Sequence, residues 1–319
     1  MNNSLGEIIE QLNSAKHIAI FCHARPDGDA LGAGLALCLA LENEGKKAYM
    51  CCEDLPPEKF SFIPSMKKVL QELPNLDYDV LVCVDCADVT RMGVFSKRYN
   101  KFKKITINID HHISNDRYAK MNFVDERPAC CEIITELFIK AGYEITDEIA
   151  NLLMIGLVTD TGNFSHQDVT EKTFMTAAHL RANGADVNLI YYNLYARQTK
   201  ARALLYGRVM NKIRFALDEK LAFIIITERD MTELGADKSL TEGFVDFPLT
   251  IDGVEVSVAV LENRKGQYKV SLRSKGKVNV NAVATTFGGG GHILASGCML
   301  FGELEEVIER LSYAVYQNL

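Results

Sequence analysis

Residues 105–112 read ITINIDHH, β-branched residues alternating with polar ones until the run stops at an acid and two imidazoles. Ile and Thr at this density favour the middle of a sheet. In an open α/β sheet, ligands gather beyond the carboxyl ends of the strands. Asp110, His111 and His112 are therefore expected on that rim. Neighbouring side chains point apart and each ring needs its own partner, so two adjacent imidazoles after a carboxylate make an unusual turn. The alternative, a polar loop around one satisfied histidine, has to be judged against the rest of the chain.

Two earlier segments end the same way. Residues 17–22, HIAIFC, form a short apolar strand that runs into HARPDGDALGAGLAL, a loop followed by a helix to about Asn43 that Gly45 closes. His23, Asp27 and Asp29 fall in the loop. Pro26 fixes the approach and Gly28 is expected to let the chain double back, so that one turn aims both carboxylates at one point. Each acid alone has an ordinary account, Asp29 as a helix N-cap and Asp27 as a turn residue, but that account leaves out His23. Residues 79–85, DVLVCVD, have the continuous apolar character of a buried parallel strand and end at Asp85. Three successive strands thus release His or Asp at one sheet edge, which independent loops would rarely do.

Further on, a short strand is expected near 122–124 and helices at 130–141 and 147–158. The second of these helices, apolar on most faces, delivers Asp160 beside Gly162. A carboxylate at the end of a buried helix is costly unless it is paired or meets a cation, so Asp160 joins the set. Helices near 171–183 and 186–196, with Gly184 between them as a C-cap, complete a first domain over 1–196. The basic stretch 197–215 reads as a helical linker. A second domain over 216–319 has strands near 221–227, 254–261 and 268–273, helices near 238–245 and 279–287, and a closing helix at 303–316. The expected class is α/β: a mostly parallel N-terminal sheet flanked by helices, then a smaller C-terminal α/β domain with a mixed sheet, the active site lying in the cleft between them.

The run FGGGGH places Gly288, Gly289, Gly290, Gly291 and His292 in one loop. Consecutive glycines expose backbone N–H groups to a ligand, although a flexible loop would have the same composition. Arg264, Lys265, Arg273, Lys275 and Lys277 lie on the strands and turn nearby, and with the glycines they could hold an anion.

The bulk figures bound these readings. A chain of 319 residues suits two domains, and 48% hydrophobic with 24% charged residues is an ordinary globular composition. No run reaches the ~18 apolar residues of a membrane span, and the N-terminus lacks a basic-then-apolar signal. Nine cysteines, odd in number and dispersed, suit free thiols in a reducing cytoplasm. The pairs Cys51-Cys52 and Cys130-Cys131 lack the spacing of a zinc ribbon. A net charge of −7 argues against gripping a long nucleic acid, while leaving room for a short anion in a local pocket.

Collected, the first domain offers His23, Asp27, Asp29, Asp85, Asp110, His111, His112 and Asp160. Carboxylate and imidazole ligands without thiolates suit Mn2+, with Mg2+ or Co2+ as options. Eight groups exceed the needs of one ion. A pair of ions sharing a carboxylate would use them all and would support in-line displacement at phosphorus, so the residues point to hydrolysis of a phosphate ester or anhydride.

HARPDGDALG, VDCAD, NIDHH and LVTDTG, in this order, resemble the four motifs of the DHH phosphoesterase family, and FGGGGH resembles its DHH-associated C-terminal domain. The likeness covers nearly the whole chain. Length and domain order are most similar to the small members that act as oligoribonucleases (nanoRNases) and as phosphatases of 3′-phosphoadenosine 5′-phosphate (pAp). The resemblance implies one Mn2+ on His23, Asp27 and Asp85 and a second on Asp29, His111 and Asp160, with Asp85 bridging. It makes Asp110 an orienting residue and brings His112 to the scissile phosphate or leaving oxygen. Arg264, Arg273 and the 288–292 loop would hold the far end of a nucleotide, so short RNA of two to five nucleotides and pAp are the implied substrates. Two departures are Ala33, where many relatives have serine, and Cys130-Cys131, where small hydroxyl residues are common. Linear or cyclic dinucleotides, or a non-catalytic nucleotide-binding regulator, remain as alternatives, and a homodimer is among the open oligomeric states.

Overall fold

Five short strands, fed by loops that carry the acids, make a wholly parallel sheet in the first half of the chain. The computed structural model describes residues 2–319 and forms two units, the first ending at Arg197 and the second spanning Gln198–Leu319. The first unit opens with α1 (Leu5–Ser14), started by a capping box between Ser4 and Glu7. It continues through β1 (His17–Phe21), α2 (Gly28–Asn43), β2 (Lys47–Cys51), β3 (Val80–Val84), α3 (Ser96–Lys101), β4 (Ile105–Asp110) and β5 (Met121–Val124). The strand order is β2-β1-β3-β4-β5, and each pairing is parallel. The central strand β3 is buried along its whole length, because both sheet faces are covered. One face packs on α2 and on α4 (Cys130–Ala141), and α5 (Asp147–Asp160) packs in turn on those two helices. The other packs on an aromatic layer that includes Tyr78, Phe95 and Tyr99. The unit closes with α6 (Glu171–Ala182) and α7 (Val187–Tyr191), which runs on as a π-helical turn over Tyr192–Ala196.

Close packing of α2 on α5 is what draws their acids together. A Cβ added at Gly32 would lie 2.4 Å from Leu152 O, and one added at Gly28 would lie 2.4 Å from Thr159 Oγ1. Side chains at these positions would hold the helices apart. Gly28 therefore serves close approach as the first residue of α2. The turn expected from it is made instead by Arg25, whose φ of 53° is left-handed.

The second unit contains α8 (Lys200–Met210), β6 (Arg214–Ala216), β7 (Leu221–Ile226), α9 (Glu228–Leu234), β8 (Val256–Arg264), β9 (Gln267–Ser274), α10 (Val280–Thr285), β10 (Gly290–Gly291), β11 (Ala295–Phe301) and α11 (Leu304–Tyr316). The order is β10-β11-β9-β8-β7-β6. Only β7 with β8 is parallel, so the sheet is mixed. Most of the stretch expected as a separate linker belongs to this unit: Leu205 and Val209 of α8 are buried against Ile224 and Phe244, an apolar stripe that a free connector would leave wet. The helix expected over 238–245 is two 3-10 turns, Lys238–Thr241 and Phe244–Thr250, divided at Gly243 with its φ of 78°. The α-helix in this region is α9, set by the capping box of Thr227 and Asp230.

Candidate metal centre

Asp85 is the first residue beyond β3 and sits in left-handed backbone, φ 49°, a conformation that costs an L-residue roughly 1 kcal/mol or more. Its N–H donates to Ile109 O at 3.0 Å, tying the turn to β4. The carboxylate is thereby placed between two imidazoles, Oδ2 being 3.4 Å from His23 Nε2 and Oδ1 3.3 Å from His111 Nε2. His23 Nε2 is also 3.5 Å from Asp27 Oδ2. His111 Nε2 lies 3.6 Å from Asp160 Oδ2 and 3.9 Å from Asp29 Oδ2.

Each ring is aimed by a carbonyl behind it. His23 Nδ1 pairs with Ala24 O at 2.9 Å and His111 Nδ1 with Arg127 O at 2.8 Å. A carbonyl only accepts, so Nδ1 carries the hydrogen and Nε2 faces the acids. The His23 carbonyl is in turn held by the thiols of Cys22 and Cys52, at 3.5 and 3.4 Å.

The two acids of the first loop do not keep the ordinary roles that sequence suggested for them: the cap falls to Asp27, and Asp29 lies inside the helix. Asp27 is the N-cap of α2, its Oδ1 accepting from Asp29 N and Ala30 N, which leaves Oδ2 for His23. Asp29 is wholly buried and accepts from Cys130 N at 2.5 Å and Cys131 N at 2.9 Å. These are the first N–H groups of α4, a favourable place for an anion. The backbone amides of Cys130 and Cys131, rather than their side chains, thus hold the acid.

Asp110 is saturated by neighbours. Oδ1 accepts from His111 N at 2.9 Å and His112 Nδ1 at 2.8 Å, and Oδ2 from Asn115 Nδ2 at 2.5 Å. His112 also lies 3.5 Å from Asp85 Oδ1, and the His111 and His112 ring centroids are 4.6 Å apart.

Burial and neighbouring charges shift the protonation of His23, Asp29, Asp85, His111 and Asp160. Burial works against a charged His23, but Asp27 and Asp85 outweigh it and raise its pKa to about 11. Burial likewise opposes a charged His111, yet Asp85 and Asp29 carry it up to about 10. Burial and the neighbouring Asp29, Asp27 and Asp85 push Asp160 up to about 9, while burial and Asp85 push Asp29 to about 7. Burial alone would raise Asp85 as well, but His111 and His23 pull it well below the usual carboxylate range.

Donor atoms of His23, Asp27 and Asp85 lie within 4.8 Å of one another, as do those of Asp29, His111 and Asp160. Asp85 Oδ1 is buried without a hydrogen-bond partner, a costly state for a carboxylate oxygen. Four carboxylates, two inward-facing Nε2 atoms and an orphaned buried oxygen fit hard or borderline divalent cations.

All eight residues singled out in the first domain meet here. The basic and glycine-rich set of the second unit is only partly brought together. Lys269, Ser271 and Arg273 alternate onto one face of β9 and line a cavity of about 340 Å³ with Lys238. Lys269 and Ser271 also line a cavity of about 670 Å³ beside Gly288, Gly289 and Phe287. Arg264 instead pairs with Gln267 at the opposite end of the β8–β9 hairpin from Arg273, which pairs with Ala295. The glycine run is an ordered sheet edge: Gly290 and Gly291 pair with Gly297 and Ser296, and a Cβ at Gly289 would lie 2.2 Å from Gly297 O. His292 is exposed and its carbonyl accepts from Ser296 Oγ at 2.7 Å. Sequence reasoning missed Lys269, whose alternation with Arg273 was the available signal, and Asn115, which reads as an ordinary turn residue.

The DHH family N-terminal domain matches residues 17–157 and the DHHA1 domain matches residues 196–317. The chain is 31% identical, over 99% of its length and 93% of the relative's, to the bifunctional oligoribonuclease and PAP phosphatase NrnA of Thermus thermophilus. It is 29% identical to the protein of the same description from Bacillus subtilis, over 92% of this chain and 93% of that one. A crystal structure of an exopolyphosphatase-related protein from Bacteroides fragilis superposes with a TM-score of 0.83 at 28% identity, over 98% of this chain and 95% of that one.

Proposed function

The chain belongs to the DHH family, and from that premise we propose that it is a phosphoesterase using two divalent ions, preferably Mn2+, to cleave short oligoribonucleotides to mononucleotides and to dephosphorylate pAp to AMP. The observation that carries this reading is the pair of carboxylate–imidazole cradles meeting at Asp85. His23, Asp27 and Asp85 would hold one ion, and Asp29, His111 and Asp160 the other, with Asp85 common to both. When bound there, divalent ions would supply a water of lowered pKa and positive charge to offset the charge developing on a phosphoryl group.

The protein groups divide the remaining work. Asp85, fixed by its left-handed turn, keeps both cradles at one spacing. Asp29 is anchored on the amides of α4 and resists displacement. His112, with Nδ1 engaged by Asp110, turns Nε2 toward a phosphoryl or leaving oxygen, where it can hold or donate a proton. Arg273, Lys269 and the segment from Gly288 to His292 would bind the substrate's phosphate and base remote from cleavage, giving preference to short chains. Arg264 would contribute to a different part of the bound oligonucleotide. The net charge of −7 supports a substrate held in a local pocket over a long polymer laid on the surface. Nine free, buried cysteines among the described residues agree with a cytoplasmic setting. No helix of the described residues is long and apolar enough to cross a membrane.

The test is a side-by-side assay with Mn2+ of pAp, end-labelled di- to pentaribonucleotides, a cyclic dinucleotide and pyrophosphate. Release of AMP and phosphate from pAp and of mononucleotides from the short RNAs is expected. Turnover confined to the cyclic dinucleotide or to pyrophosphate would replace the reading.

A further inference from the structure

Behind the two cradles lies a buried carboxamide pair that metal binding does not use. Asn115, 6% exposed, donates from Nδ2 to Asp110 Oδ2 at 2.5 Å and to Asn108 Oδ1 at 2.8 Å, with Cys86 O as a further acceptor at 3.3 Å. Its Oδ1 accepts from Arg117 N at 2.7 Å. The amide orientation is therefore determined, since its oxygen meets a donor and its nitrogen meets only acceptors. Asn108, fully buried on β4, donates from Nδ2 to Cys83 O and Cys86 O, both at 3.3 Å. Tyr118 OH donates to the same Cys86 O at 2.9 Å. The two cysteine carbonyls flank Asp85, so one polar network grips the ends of both β3 and β4.

We propose that Asn115 is a positioning residue for the hydrolytic step, acting through Asp110 to present His112 with its Nε2 toward substrate. The inference deepens the phosphoesterase reading and rests on it. An Asp110 carboxylate holding only His111 N and His112 Nδ1 has its second oxygen unanchored, so the two oxygens can trade places by rotation about the Cβ–Cγ bond. With Oδ2 fixed by Asn115, Oδ1 is the oxygen left for the histidine. Asp110 offers no hydrogen when ionised, so Nδ1 carries one and the ring is fixed in both tautomer and orientation. Loss of the Asn115 amide removes that constraint while leaving every proposed metal ligand in the chain. Partners of this kind behind a functional imidazole are commonly as consequential as the imidazole's own contacts.

The experiment compares Asn115→Ala and Asn115→Ser with wild type, each also combined with His112→Gln. Serine keeps a polar group in the space but ends where the carboxamide carbon stood, short of Asp110, so it guards against a folding failure of the alanine variant. The expected result with pAp is a fall in kcat of about 10- to 100-fold, with KM and Mn2+ affinity held within about threefold. In the His112→Gln background the Asn115 substitution should add no further loss, because both act through one ring. Imidazole 15N signals of the Mg2+-loaded protein without substrate should change for His112 from a single tautomer to an averaged pattern. Unchanged kcat, an equal loss in both backgrounds, or unchanged His112 signals would overturn the proposal. If the wild type hydrolyses none of the phosphate substrates, it is the phosphoesterase reading that fails, and the His112 signals still decide whether Asn115 sets the ring.

Discussion

Gly156 on α5 meets Asp29 on α2 so closely that a Cβ at position 156 would stand 2.6 Å from Asp29 Oδ1 and 2.3 Å from Cys131 Sγ. Helix packing and metal chemistry thus depend on the same missing side chain. In an exposed helix interior Gly→Ala stabilises by roughly 1 kcal/mol, so the sign of the change at this site is informative. Gly156→Ala is expected to lower Tm, weaken Mn2+ binding by calorimetry and reduce turnover by about tenfold or more, because Asp29 is pushed from the amides of α4. A variant that melts higher and binds Mn2+ normally would mean that the helices part without moving the acid.

Asp85 stands 3.4 Å from one histidine of the site and 3.3 Å from the other, which on the proposed two-ion reading makes it the ligand with no substitute. Asparagine tolerates left-handed backbone better than most residues, so Asp85→Asn is expected to keep the fold. It should lose most Mn2+ binding and essentially all hydrolysis of pAp, since one neutral amide oxygen cannot serve two cations. Measured metal stoichiometry decides the matter: a normal content with normal turnover would exclude a shared carboxylate.

The parallel sheet was readable from the apolar runs of β1, β3 and β4, and the site from the acids and imidazoles that end them, because strand ends on one sheet edge converge whatever the loops do. Less legible was how each acid is held. Asp27 and Asp29 are two residues apart and chemically identical, yet one caps its own helix and the other is buried on the amides of α4, about 100 residues away in sequence. That distinction depends on packing made possible by Gly28, Gly32 and Gly156, and spacing alone does not encode it. In the second unit, the composition of the 288–292 run did not distinguish ligand-binding N–H groups from a tight strand approach. Counting basic residues near it also hid the fact that the β8–β9 hairpin places Arg264 and Arg273 at opposite ends.

Glu136 receives Lys140 and Arg127, each at 2.7 Å, and Lys172 at 2.9 Å. Partial burial would raise its pKa, but the three cations draw it from 4.5 down to about 2. A depressed folded-state value means that this contribution to stability is complete above about pH 4.5 and is lost as the pH falls toward 2. Glu136→Gln is therefore expected to destabilise the protein at pH 7 by on the order of 1–2 kcal/mol. The gap to wild type should shrink in thermal melts taken between pH 4.5 and 3. A gap that does not vary with pH would assign the loss to packing. Arg127 also supplies the carbonyl behind His111, so a loss of turnover larger than the change in stability is expected alongside.

The β8–β9 hairpin separates two arginines that composition alone would group. Arg264 pairs with Gln267 beside the turn, and Arg273 lies six residues further along β9, opposite Ala295. At a strand rise of about 3.3 Å per residue their backbones are roughly 20 Å apart, more than one phosphate group can bridge. Arg273 shares its face with Lys269 and Ser271 in the 340 Å³ cavity, whereas Arg264 is exposed at the tip. A charge-assisted contact is worth about 1.5–3 kcal/mol, so Arg273→Ala should raise KM for pAp and for two-to-five-nucleotide RNA by about tenfold or more. It should leave hydrolysis of a small generic phosphodiester nearly intact, since that substrate has nothing to offer a remote site. Arg264→Ala should change pAp kinetics by less than about threefold and act, where it acts, on the longer oligonucleotides. Equal losses for both variants on pAp would require the substrate to be read along the whole hairpin. Equal losses on pAp and on the generic diester would move Arg273 from recognition to the chemistry itself.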